Sequence, residues 1–220
     1  TFPGAVAVNE LTNTAYMVNQ DNSHDVEVFD GATKSHIATI QSGTAFAAHL
    51  SRIAVNPTTN HIFVSEPFGN VVHLMDGQTN TLISRMDLGF FAPIPQSLAI
   101  NTVTSFVYVA NIGFNPLFDH GGQSISVIDD PPPPAIQLQA LIQKVQQYNF
   151  SQGVSNSLDS KLQNALAALE SLNNGNVGTV CNKLDSFINE VEAKNELTQA
   201  QATDLINAAN RIKRTLRCDG

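Results

Sequence analysis

Few stretches of this sequence have the residue types and spacing that chemistry needs. Asp21-Asn22-Ser23-His24-Asp25 places oxygen donors at alternate positions, as a calcium loop opens. The rest of that pattern is missing, because no glycine stands where the sharp turn belongs and Ala32 occupies the place of the closing bidentate Glu. The stretch therefore reads as a loop between strands, with calcium at Asp21 and Asp25 as the weaker alternative. The six histidines (24, 36, 49, 61, 73 and 120) are scattered without His-Glu-x-x-His spacing. His49, Arg52 and Gln96 stand just ahead of, or inside, apolar runs, where they could hold a polar ligand or simply line a wet surface. Gly-x-Ser-x-Gly, a phosphate loop and Cys-x-x-Cys-His are all missing. The expectation is no catalytic residue, no cofactor, no transition metal and no nucleotide.

The elements that would position these residues are announced by an internal repeat. Ala7-Val8-Asn9 leads to Tyr16-Met17-Val18-Asn19, Ala54-Val55-Asn56 to Phe63-Val64-Ser65-Glu66, and Ala99-Ile100-Asn101 to Tyr108-Val109-Ala110-Asn111. The turn asparagines and the following aromatics both recur after 47 and then 45 positions. Within each copy an apolar strand meets a polar turn such as Asn56-Pro57-Thr58-Thr59-Asn60, and a second strand rich in β-branched and aromatic residues follows. A third strand alternates with period two (26–28, 125–127) and runs into an acidic turn at Asp30-Gly31, Asp76-Gly77 or Asp129-Asp130. A fourth strand at 37–40 and 82–86 completes two copies. The third copy has none, because Pro131-Pro132-Pro133-Pro134 follows at once. Short antiparallel strands repeating every 40–50 residues predict β-propeller blades.

Residues 1–130 resemble the YVTN family of β-propeller repeats, whose signature joins a turn of Asn-Pro-x-Thr-Asn type, Tyr-Val-x-Asn, and a strand closing on Ile-Asp-Gly. The resemblance implies three four-stranded blades, with His49, Arg52 and Gln96 directed towards a central channel. It implies no single activity, since members include cell-surface proteins, ligand binders and a few enzymes. Three blades are too few to close a ring. The sequence therefore predicts either further blades upstream in a longer chain or a homo-oligomer, with β-augmentation at the unfinished third blade. The insertion at 112–122 carries Phe114, Leu117 and Phe118, and Phe90-Phe91 lies between copies. These five are the candidate interface, the alternative being packing over the linker or the neighbouring bundle.

The proline run makes 131–136 a stiff linker to a second domain at 137–220. From there the apolar period is 3.6: Leu138 to Val145, Leu158 to Leu172, Val177 to Val191 and Leu205 to Leu216 trace four amphipathic faces. Gly153, Asn174-Gly175 and Lys194-Asn195 are the expected breaks, and Thr198 with Gln201 fits a capping box. Short connections predict an up-and-down four-helix bundle. Antiparallel packing would bring Cys181 and Cys218, the only cysteines, to one end as a disulfide; two buried free thiols are the alternative. This tail also resembles a helical segment found near the C-terminus of many secreted microbial repeat proteins, which implies export and display.

The formal charge of −8 lies wholly on residues 1–136, where Lys34, Arg52 and Arg85 face eleven acidic residues. That balance opposes nucleic acid and anionic lipid as partners. No apolar run is long enough to cross a bilayer. Thr1 opens the sequence without a charged-then-apolar leader, which fits a mature exported product, a proteolytic piece or part of a longer chain. Asn149-Phe150-Ser151 is the only glycosylation acceptor pattern. The leading expectation is an extracellular or cell-surface structural and interaction protein that assembles through its blades. The alternative is a propeller enzyme or small-ligand binder, lactonase-like, acting at the channel.

Overall fold

The computed structural model describes residues 3–20, 24–43, 49–89, 94–113, 123–171 and 177–218. It divides into two units, Thr1–Pro131 and Pro132–Gly220.

The first unit holds three antiparallel sheets. The first has β1 (Pro3–Asn9), β2 (Thr14–Asn19), β3 (Val26–Asp30) and β4 (His36–Ile40) in sequence order; the second has β5 (Ile53–Asn56), β6 (His61–Glu66), β7 (Val71–Asp76) and β8 (Thr81–Asp87). The third has only β9 (Ile94–Asn101), β10 (Phe106–Ile112) and β11 (Ser124–Asp129), with β10 in the middle. The turns are written in side chains. Asn9, Asn56 and Asn101 each accept, through Oδ1, the backbone N–H two residues on, at 3.0, 3.1 and 3.0 Å. Each turn then closes on a residue with positive φ: Asn13, Asn60 and Ser105. Asp30 and Asp76 do the same for the third turn, accepting from Ala32 and Thr33, and from Gln78 and Thr79.

Strand alternation gives each sheet two apolar faces. The Tyr16 face of the first sheet, with Val18, Val26, Val28 and Ile40, packs against Ile53, Ile62, Val64 and Met75 of the second. The opposite face of the second sheet, with Phe63 and Val72, packs against Val107 and Val109 of the third. Full burial of a side chain such as Phe63 is worth about 1.5–3 kcal/mol, so two such cores hold the stack.

A polar latch crosses each core at the same turn. Asn9 Nδ2 donates to Asn60 Oδ1 at 2.6 Å, and the Tyr16 hydroxyl reaches the same oxygen at 3.5 Å. Gly77 is required there, because a Cβ on it would sit 2.6 Å from the Tyr16 hydroxyl and 2.7 Å from Asn60 Oδ1. At the second junction Ser105 stands in the place of Asn60 and Asp130 in the place of Gly77, as the matching backbone bonds show (Gly77 N–H to Asn60 O, Asp130 N–H to Ser105 O). The acceptor is rebuilt from the other side of the turn: Asn56 Nδ2 donates to Asp130 Oδ2 at 2.8 Å, joined by Thr59 Oγ1 at 2.7 Å. The aromatic at this junction is Phe63, which has no hydroxyl to place.

The second unit contains α1 (Pro134–Gln147), α2 (Gln152–Glu170), α3 (Gly178–Ala193) and α4 (Gln199–Leu216). Each helix packs on the next, and α4 returns to α1. Their inner faces share one core that includes Leu138, Leu158, Leu184, Phe187 and Leu205. Cys181 in the first turn of α3 and Cys218 just beyond α4 form a disulfide, with Cα atoms 5.7 Å apart, and the Thr198–Gln201 capping box is present.

Two boundaries differ from the sequence reading. Residues 134–136, expected as linker, are the first turn of α1, because a first-turn position needs no N–H and the fixed φ of Pro134 suits it. Gly153, expected as a break, lies within the first turn of α2. The chain turns instead at Asn149, which has positive φ.

Candidate functional site

Polar side chains of the first unit gather where the first strands of the sheets begin and the second strands end. Gln20 at the end of β2, then His49, Leu50, Ser51, Pro67, Phe68, Ile94 and Gln96, line an open cleft of about 650 Å3. The short 3₁₀ helix η1 (Pro67–Gly69) supplies one wall, with Phe68 exposed. The His49 ring meets the His24 ring edge-on at 5.2 Å and the Phe68 ring at 5.9 Å. His24 is buried at positive φ, and its Nδ1 has no hydrogen-bond partner among the described residues. Gln20 donates to the Leu50 carbonyl at 3.3 Å and so fixes the floor.

His49 and Gln96 thus come together on one cleft. Arg52 does not join them: its backbone N–H donates to Ser65 Oγ at 3.1 Å, and its exposed side chain turns back to the Ser51 carbonyl at 3.2 Å. The period-two alternation of a strand start carries its side chain away from the cleft lining. Asp25, the described half of the calcium alternative, is buried and accepts from the Ser42 N–H at 3.4 Å. Asp21 lies outside the described residues, as do Phe90, Phe91, Phe114, Leu117 and Phe118. Among the described residues no group of three His, Cys, Asp or Glu side chains could hold a metal ion.

The sequence reading missed a charged cluster beneath η1. Glu66 closes β6, and its carboxylate meets His73 Nε2 at 2.6 Å and Arg85 Nη2 at 3.2 Å; Glu66 and His73 are buried. A Cβ on Gly69 would collide with this carboxylate, so the glycine lets the turn lie directly over it. Burial pushes the Glu66 carboxyl up, but the hydrogen bond from His73, its charge and the Arg85 guanidinium outweigh burial and hold it below the usual range. The signal available in sequence was an acid ending the buried run 62–65, two residues out of step with His73 in the next strand. A second missed pair lies in the second latch, where His61 Nδ1 meets Asp130 Oδ1 at 2.6 Å.

The other unusual feature is a face rather than a pocket. Tyr16 and Phe63 are fully buried, yet Tyr108 at the matching place in the third sheet is 38% exposed. Val127, opposite Tyr108 in the register, is 55% exposed, and Ile125 and Ile112 on the same face are also exposed. At the other end of the stack Val6 and Val8 are 59% and 55% exposed, whereas Ile53 and Val55 at the matching places belong to the first core.

No family model matches this chain, and no curated protein matches it. Among solved structures the hydrazine synthase of Kuenenia stuttgartiensis is similar, with 22% sequence identity and a TM-score of 0.46 over 58% of this chain and 32% of that one. The present chain therefore spans about a third of that chain's length.

Proposed function

We propose that the three sheets are blades of a YVTN-type β-propeller and that the protein is a structural and interaction component of the cell exterior, assembling through those blades. One observation carries the reading: the Tyr108 face lies open where its two repeats inside the chain are sealed. Contiguous apolar surface of this kind marks an interaction site. The disulfide supports an oxidising compartment, extracellular or at the cell surface. Light scattering of the full chain at micromolar concentration should give a mass above the 23.6 kDa protomer. A monodisperse monomer would overturn the reading.

A second reading, a small-ligand binder or lactonase-like hydrolase, is favoured by the cleft, where the His49 imidazole and the Gln96 amide face one apolar-walled space. Calorimetric titration with simple lactones should then show binding that His49→Ala and Gln96→Ala weaken. No heat with any of them would remove this reading.

A further inference from the structure

The two sheet junctions inside the chain follow a pairing rule, and the two open ends of the stack satisfy it. An aromatic with a hydroxyl, Tyr16, is met by an Asn acceptor and a glycine, Asn60 and Gly77. An aromatic without one, Phe63, belongs to the junction where Ser105 and Asp130 take the places of Asn60 and Gly77. The open face of the third sheet presents Tyr108, together with Asn101, the repeat of the latch donors Asn9 and Asn56. Asn101 is exposed; its Oδ1 holds the turn N–H groups of Val103 and Thr104, and its Nδ2 has no partner among the described residues. The open face of the first sheet presents the cognate pair for a tyrosine. Asn13 is exposed at the place of Asn60, and Gly31 donates its N–H to the Asn13 carbonyl as Gly77 does to Asn60.

We propose that the third sheet docks on the first sheet of a second copy of this chain, with Asn101 and Tyr108 of one protomer reaching Asn13 of its partner. The same contact made reciprocally gives a two-fold dimer held by two equivalent junctions. This rests on the blade assembly reading above and names its partner and geometry. The occupant is a second copy because both halves of the junction, donor face and acceptor face, are carried by this chain on two exposed faces. The apolar parts agree, since Tyr108, Ile125 and Val127 would cover Val6 and Val8 as the Tyr16 face covers Ile53 and Val55.

The test is sedimentation equilibrium of the full chain, alone and in mixtures. Wild type should sediment at twice 23.6 kDa. Val127→Lys blocks the third-sheet end and Val8→Lys the first-sheet end. Both positions are exposed, so circular dichroism should match wild type, and each variant alone should be monomeric. Mixed, they should form a heterodimer, because one unblocked junction remains between them. Tyr108→Phe, which leaves packing intact, should weaken the wild-type dimer about tenfold through the lost hydrogen bonds. If Val127→Lys breaks the dimer but Val8→Lys does not, or if the mixture stays monomeric, the head-to-tail junction is overturned. Open-ended oligomers overturn the reciprocal dimer while leaving blade assembly standing. A wild-type monomer overturns both.

Discussion

The helical unit and the sheet unit solve burial in different ways. Four amphipathic helices turn their apolar faces to one centre, and the last packs on the first, so the core closes on itself. A stack of two-faced sheets has no such closure; every added sheet covers one face and brings another. Its stability is a sum over junctions, and the terminal faces are exposed unless something repeats the junction. The consequence is that a residue in the helical unit is buried by its position on the helix, whereas a residue in the sheet unit is buried by which copy of the repeat it occupies. Tyr16 and Tyr108 have the same place in their strands and opposite environments.

The largest expected effect falls on the closed unit. Removing the Cys181–Cys218 bond with Cys181→Ser and Cys218→Ser frees a loop of 37 residues, which lowers the stability of the helical unit by about 4 kcal/mol. Denaturant titration should move the midpoint of the helical circular-dichroism signal and leave the β signal in place. Equal loss from both signals would show that the two units unfold as one.

Next comes a contrast across a single sheet. Val107 and Val127 lie on opposite faces of the third sheet, one fully buried and the other exposed. Val107→Ala should cost about 2 kcal/mol through lost burial and the cavity left behind. Val127→Ala should cost under about 0.5 kcal/mol in the isolated protomer. Chemical denaturation at low protein concentration reads both, and equal costs would mean that the Tyr108 face is covered.

Comparable in size is the exchange of one latch for the other. Gly77→Asp alone drives a side chain into the Tyr16 hydroxyl and the Asn60 amide, at a cost of about 1–3 kcal/mol. Combining it with Tyr16→Phe and Asn60→Ser rebuilds the second latch at the first junction and should recover most of the loss. A triple variant no more stable than Gly77→Asp would show that the latches are not interchangeable and that the pairing rule is accidental.

Much of this was legible in the chain because the turns are local. Asn9, Asn56, Asn101, Asp30 and Asp76 each hold N–H groups two or three residues away, so spacing alone exposes them. The helical faces and the capping box at Thr198 are local in the same sense. What spacing does not carry is pairing over distance. Glu66 with His73 and Arg85, and His61 with Asp130, meet only after strands are registered and sheets stacked. The Ser105 and Asp130 exchange moves one oxygen acceptor across a turn, which spacing does not show. Arg52 shows the converse: near an apolar run in sequence, it is steered off the cleft by one residue of strand alternation.

The smallest effect separates the two units by pH. All six histidines belong to the first 136 residues, and the pKa of His61 is raised. The Asp130 hydrogen bond raises its pKa, burial opposes, and the charges of Asp130 and Asp76 add to the rise. A group raised on folding stabilises fully below its unfolded pKa, about 6.5, and that contribution fades as pH climbs through the folded value. The second junction should therefore weaken between mildly acidic and mildly alkaline pH, while the helical unit, which has no histidine, should not respond over that window. On the acid side Glu66 works in the opposite sense: its lowered pKa stabilises above the usual carboxylate range, about 4, and is lost as pH falls through the lower folded value. The sheet unit is thus expected to be most stable between these limits. Thermal scans at pH 6 and pH 8 should show the β transition falling by a few degrees at most, with the helical transition fixed. In His61→Gln the β transition should fall by less than in wild type. A β transition that falls as far in His61→Gln as in wild type would assign the alkaline loss to another group and leave the Asp130 latch indifferent to pH.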